Sequence, residues 1–262
     1  MKFCSLYSGS SGNCLYLEDK DTKILIDAGV SGKKIEENLK KIYVKPEEID
    51  AVFVSHDHID HTKGVGVFSR RFDIPIYANR GTWEVALKGL GKISPKNMVV
   101  FHSNQEVYIN GLCILPFPIH HDAGEPVGFS IENGKTKIGI ITDTGKITEE
   151  ILWSLKNCDL AVIESNHDVE MLKVGRYPYY LKKRILGNEG HLSNEDASKT
   201  ILKLVEKGLR KVLLAHLSEE NNFPELAYET TKSLLVENNV KVQKDVMLEV
   251  ASRFTPSTIY SF

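Results

Sequence analysis

His56-Asp57-His58-Ile59-Asp60-His61 decides the reading of this chain, and it follows directly on the apolar run Ile49-Asp50-Ala51-Val52-Phe53-Val54. Within it, His56, His58, Asp60 and His61 stand together at the mouth of what reads as a buried strand. Imidazole and carboxylate together are the ligand set of zinc, manganese or iron held as a Lewis acid. Imidazoles this close repel one another on protonation and gain little from packing, so the cluster points to metal or catalysis rather than to structure. Where a strand runs into a tight loop, alternate side chains share a side. His56 and His58 are then placed to grip one ion, and Asp60 and His61, a step further on, to reach a second.

A two-ion site takes about seven to nine protein ligands, so the set must be completed elsewhere. Three positions at the ends of apolar runs fit. His121 follows Leu112-Cys113-Ile114-Leu115-Pro116-Phe117-Pro118-Ile119, Asp143 follows Ile138-Gly139-Ile140-Ile141-Thr142, and His216 follows Val212-Leu213-Leu214-Ala215. His120 competes with His121, but neighbours on an extended strand point to opposite faces and only one can ligate. The turn-rich Asp122-Ala123-Gly124-Glu125-Pro126 after His121 selects the latter. Asp57 and His102 read as bystanders, the first pointing away from its ligating neighbours and the second in a surface turn. The imidazoles with Asp60 and Asp143 carry a charge of about −2; two divalent ions and a bridging hydroxide bring the site to roughly +1, which favours a phosphodiester. A hydroxide held by the ions is the expected nucleophile.

The chain's 262 residues, 42% of them hydrophobic, suffice for one large domain, expected to span 1–262. No apolar run reaches the ~18 residues of a membrane span, and the start is too polar for a signal peptide. Cys4, Cys14, Cys113 and Cys158 are scattered and read as buried thiols in a reducing cytoplasm. A net charge of −2 makes the surface no general polyanion trap, so any nucleic-acid contact must use local clusters. Lys33-Lys34, Lys40-Lys41, Arg70-Arg71 and Lys182-Lys183-Arg184 are the candidates.

Strands are expected over 2–7, 14–18, 23–27, 51–54, 75–78, 97–101, 106–109, 112–116, 128–132, 137–141, 160–164 and 211–215. Helices are expected over 31–41, 63–71, 80–87, 148–156, 193–207 and 225–236. Asn110-Gly111 and Asn133-Gly134 read as two-residue hairpin turns. Both halves run from strands to a ligand-bearing strand end to helices, which predicts an α+β, four-layer αββα sandwich of two mixed sheets flanked by helices.

With these ligands placed, the chain resembles the metallo-β-lactamase superfamily: His-x-His-x-Asp-His at 56–61, then a late His, an Asp and a final His. The resemblance implies that one ion takes His56, His58 and His121, the second takes Asp60, His61 and His216, Asp143 bridges, and Asp27 buttresses the metal loop. More narrowly, five segments resemble the bacterial YycJ/WalJ/VicX-type subfamily: Tyr7-Ser8-Gly9-Ser10-Ser11-Gly12-Asn13, His121–Pro126, Glu164-Ser165-Asn166-His167-Asp168, Gly190-His191-Leu192-Ser193-Asn194 and Leu214–Ser218. That subfamily implies 5′-to-3′ exonuclease action on DNA in mismatch repair. Asp60 and His191 are the expected catalytic residues.

Substrate contacts are expected from the Gly/Ser loop with Ser10, Ser11 and Asn13, as an anion nest or else a plain hairpin. Ser193 and Asn194 open a helix whose free N–H groups suit a phosphate, although Ser193 also suits an N-cap with Asp196. His167 is expected to line the cleft. The competing readings are a hydrolase of a small cyclic phosphate, ester, thioester or lactam, and a non-catalytic metal-binding accessory protein, against which the intact ligands argue.

Overall fold

The computed structural model describes residues 1–262. β1 (Lys2–Tyr7), β2 (Cys14–Asp19) and β3 (Thr22–Ile26) form an antiparallel meander with Phe3 opposite Leu17 and Tyr16 opposite Leu25. Most of their side chains are buried on both faces, hence the near-continuous apolar runs. Ser31 caps α1 (Gly32–Lys41) by accepting from the Lys34 N–H, and Lys40 and Lys41 suit the negative end of the helix dipole. Then come β4 (Ala51–Phe53), the single turn α2 (Ile59–Thr62), α3 (Val65–Phe72), β5 (Ile76–Asn79), α4 (Arg80–Leu90) and β6 (Met98–Phe101).

β7 (Val107–Ile109) and β8 (Leu112–Pro118) are joined by Asn110-Gly111, with φ of 48° and 89°, the expected two-residue turn. β9 (Val127–Glu132) and β10 (Lys137–Ile141) follow, then α5 (Glu149–Ser154), β11 (Leu160–Glu164), α6 (Val169–Val174), α7 (Tyr179–Ile185), α8 (Asn194–Glu206), β12 (Lys211–Ala215), α9 (Pro224–Glu237), β13 (Met247–Val250) and β14 (Tyr260–Ser261). The turn at Asn133-Gly134 is longer than expected. Residues 133–136 all lie outside the strands, because the Asn133 carboxamide accepts from the Lys135 and Thr136 N–H groups and builds a side-chain turn of its own.

Two mixed sheets of seven strands result, in the orders β14-β1-β2-β3-β4-β5-β6 and β13-β12-β11-β10-β9-β8-β7, flanked by helices as the sequence predicts. Each has an antiparallel part and a parallel part, β3 to β6 in one and β10 to β13 in the other. The chain divides into two compact units: Met1–Pro116 with Ala123–Val127 and Ser252–Phe262, and Phe117–Asp122 with Gly128–Ala251. Leu25, Val52, Phe68, Ile76 and Trp83 are central to the first core. Ile141, Ile163, Ile201, Leu214 and Leu235 are central to the second. In both units, His, Asp and Glu side chains gather where parallel strands end, the usual place for ligands in open α/β sheets.

Candidate metal centre

In the first unit the ligand loop is clamped from below. Asp27 follows β3 with φ 61° and is buried. Its Oδ1 accepts the Ser55 N–H at 2.8 Å; its Oδ2 accepts the Ser55 hydroxyl at 2.8 Å and His61 Nδ1–H at 2.7 Å. Since the Ser55 proton is given to Asp27, Ser55 Oγ accepts from His56 Nδ1, 3.0 Å away. Both rings therefore carry their proton on Nδ1 and present Nε2 as the ligand atom. His58 caps α2, and its carbonyl accepts from the His61 and Thr62 N–H groups and the Thr62 hydroxyl. His56 and His61 are buried, His58 and Asp60 half-buried. Asp57 turns away, and its Oδ1 accepts the Gly124 N–H at 2.7 Å.

In the second unit the organiser is Glu164, the fully buried last residue of β11. Its Oε1 accepts from His191 Nδ1 and His216 Nδ1, both at 2.8 Å, and its Oε2 accepts the Thr144 and Leu192 N–H groups at 3.1 Å. Burial drives this carboxyl's pKa upward, but the two imidazoles outweigh it and hold the group well below the usual carboxylate range. His121 Nδ1 faces only acceptors, the carbonyls of Glu189 at 3.1 Å and Gly190 at 3.0 Å, so it too is a donor and leaves Nε2 for a ligand. Asp143 follows β10 with φ 59° and His216 follows β12 with φ 56°; Asp143 Oδ1 lies 3.5 Å from His216 Nε2 and 3.7 Å from His121 Nε2. Asp143, Glu164, His191 and His216 cluster together, with the Glu164 carboxylate engaged by the Nδ1 protons of both imidazoles. His120, beside His121, is exposed, whereas His121 is buried.

Imidazoles locked on Nδ1 by a hydroxyl, carboxylates and carbonyls, with carboxylates interspersed, suit a divalent metal ion. A β-lactamase superfamily domain profile matches residues 22–217, most of the chain. The chain belongs to the metallo-β-lactamase superfamily. It is 37% identical to the exodeoxyribonuclease YycJ of Bacillus anthracis, over 92% of this chain and 92% of that protein. It is 39% identical to the exodeoxyribonuclease WalJ of Streptococcus pneumoniae serotype 2, over 93% of this chain and 91% of the relative. Among solved structures, the metallo-β-lactamase fold protein YhfI of Bacillus subtilis superposes with a TM-score of 0.73 at 17% identity, covering 98% of this chain and 99% of that one. No helix is long and apolar enough to cross a membrane.

Several residues expected on the substrate side of this superfamily site lie elsewhere. Ser10 and Ser11 are exposed at their loop tip, but Asn13 is buried. Its Oδ1 accepts the Gly9 N–H at 3.1 Å, and its Nδ2 lies 3.0 Å from His61 Nε2, so Asn13 ties the Gly/Ser loop to the ligand loop. Ser193 is buried as the N-cap of α8, accepting the Asp196 N–H at 3.1 Å. Asn194 is fully buried, bonded to Ser165 and Asn222. His167 is 1% exposed, neither ring nitrogen has a hydrogen-bond partner, and burial lowers its pKa to about 4. These four are interior residues: Asn13 is held between the Gly/Ser loop and the ligand loop, and the chain after β11 pairs at His167–Ser193 beside Asn194.

Of the basic clusters, Arg70 donates to the Leu90 and Lys92 carbonyls and Arg71 pairs with Glu36, so both serve local structure. Sequence reasoning gave Glu164 no role. Its signal was a lone carboxylate ending an apolar strand, the same signal that marked Asp143.

Proposed function

We propose that this chain is a metal-dependent exodeoxyribonuclease that degrades DNA from a 5′ end, with residues 1–262 working as one functional domain around a binuclear centre. The intact donor set carries the reading, in a chain alike over nine-tenths of its length to proteins named exodeoxyribonucleases. The first unit supplies His56, His58, Asp60 and His61, and the second supplies His121, Asp143 and His216. In this reading His56, His58 and His121 would hold one ion and Asp60, His61 and His216 the other, with Asp143 available to both. When bound, a pair of divalent ions supplies Lewis acidity at phosphorus and an activated water.

The remaining work falls to side chains. Asp60 orients the attacking water by accepting a hydrogen bond from it. His191 is the proton donor to the leaving oxygen. Its Nδ1–H is held by Glu164, which stabilises the charged ring and leaves Nε2 to deliver the proton. Of the four clustered residues of the second unit, His191 alone has an accessible edge, with 13% of its side chain exposed. Ser10 and Ser11, at an exposed loop tip, suit phosphate contacts. The four cysteines are free and buried, which suits a reducing cytoplasm, and a DNA exonuclease there would serve DNA repair.

End-labelled duplex DNA carrying a 5′ or a 3′ block, digested by the manganese-loaded protein beside cyclic nucleotides and a thioester, tests the reading. Loss of cleavage with the 5′ block alone is expected. Cleavage indifferent to that block removes the direction. No cleavage of DNA with rapid turnover of a cyclic phosphate or thioester replaces the nuclease with a small-molecule hydrolase.

A further inference from the structure

The segment between Glu164 and His191 carries a surface unlike the rest of the chain. Residues 169–187 hold Lys173, Arg176, Lys182, Lys183 and Arg184 against the single acidic Glu170, in a protein of net charge −2. Three of the chain's ten tyrosines, Tyr177, Tyr179 and Tyr180, fall within four residues. Tyr179 is 82% exposed and Tyr180 75%, on the first turn of α7, and Val174 at the end of α6 is 84% exposed. Aromatic rings left this bare lose hydrophobic stabilisation with no gain to the fold.

This surface is built onto the candidate centre. The Ile185 carbonyl at the end of α7 accepts the His191 N–H at 3.0 Å. Arg184 grips the Asp122 carboxylate with two hydrogen bonds, next to His121, and His121 itself donates to the Gly190 carbonyl. Lys182 Nζ donates to the Lys173 carbonyl at 2.7 Å and fastens α6 to α7. Two of the five cations are thus structural, Lys173 pairs with Glu170, and Arg176 and Lys183 remain exposed beside the tyrosines.

Exposed tyrosines interleaved with exposed cations, on an element anchored to a metal ligand and to the proton donor, have the chemistry of a single-strand platform. Bases stack on the rings while the cations meet the phosphates. We infer that Tyr179 and Tyr180 stack the bases of a single-stranded stretch of the DNA being degraded, with Arg176 and Lys183 on its phosphates. A protein partner would also cover an apolar patch, but the surplus of positive charge favours a polyanion. α7 rises about 10 Å from its first turn to the His191 anchor. That is roughly three stacked nucleotides at ~3.4 Å each. The inference rests on the nuclease reading and adds to it what holds the substrate away from the cleaved bond.

The test is fluorescence-anisotropy binding of a phosphorothioate-linked single strand of about ten nucleotides, and of a matched strand whose sugars lack bases. The wild-type protein is expected to prefer the base-bearing strand by on the order of tenfold or more. Tyr179→Ala/Tyr180→Ala should bind both strands alike, Tyr179→Phe/Tyr180→Phe should keep the preference, and all three should hydrolyse bis(4-nitrophenyl) phosphate equally, since it is too small to reach α7. A wild-type protein without the preference, or an alanine variant that keeps it, overturns the platform while DNA cleavage leaves the nuclease standing. A dimer in ultracentrifugation that the alanine pair dissociates makes the face a self-association surface and also overturns it. A wild-type protein that degrades no DNA removes both.

Discussion

Glu164 shows how far one buried side chain reaches. It holds two imidazoles by their Nδ1 protons and takes two backbone N–H groups on its other oxygen. A buried carboxylate is tolerated only when so fully paired. Glu164→Gln keeps the shape and removes the charge, so both rings lose the group that fixes their protonation and orientation. Activity or metal affinity should fall on the order of 10- to 100-fold with the fold intact by circular dichroism, and wild-type turnover would contradict the role. His167 is the opposite case, a buried ring with no partner. Its folded pKa of about 4 lies below the ordinary 6.5. The native ring stays neutral where the unfolded one takes up a proton, so its contribution to stability is present above pH 6.5 and is lost as pH falls towards 4. The loss should total on the order of 2–3 kcal/mol. Urea titrations of wild type and His167→Phe at several pH values isolate it: the variant should be less sensitive across that window, and parallel curves would show that His167 does not carry the effect.

At the level of elements, the loop after β3 and the turn α2 are mutually dependent. A Cβ on Gly29 would lie 1.5 Å from the Asp60 carbonyl oxygen and 2.8 Å from the His61 nitrogen, both backbone atoms. Gly29→Ala must therefore move the ligand turn, at a cost of about 1–3 kcal/mol or more, and should lose bound metal together with thermal stability. Full metal retention at an unchanged melting temperature would show that the two loops separate freely. This dependence also marks what the sequence discloses. Apolar runs ending in His or Asp were legible, because a buried strand and a ligand at its mouth are both local patterns. α2 was not, being a single turn closed by the ligand loop itself, nor were α6 and α7, whose exposed Val174 and Tyr179 break any 3.6-residue stripe. β13 and β14 end their sheets, with little burial pattern to reveal them. Asn13 and Asn194 read as phosphate contacts because their partners, Asp60 and Asn222, lie far along the chain, whereas the N-cap role of Ser193 with the nearby Asp196 was legible.

For the molecule as a whole, a net charge of −2 sets how DNA can be held. An acidic protein gains nothing from diffuse attraction, so binding must come from a few cations in defined places. The structure divides the basic residues into those already committed and those still facing solvent. Arg70 caps the end of α4, Arg71 pairs with Glu36 and Arg184 with Asp122, while Arg176, just before α7, and Lys183, on it, stay exposed. Each phosphate contact contributes roughly −0.9 to the slope of log affinity against log salt, so about three contacts give a loss of two to three powers of ten per tenfold rise in salt. Arg176→Ala/Lys183→Ala should make that slope shallower by about 2, whereas Arg70→Ala should leave it unchanged while lowering stability. Affinities measured on a single-stranded phosphorothioate decamer from low to moderate salt give the slopes directly. An unaltered slope in the double variant, or a shallower one in Arg70→Ala, would move the phosphate path off α7 and onto the other unit.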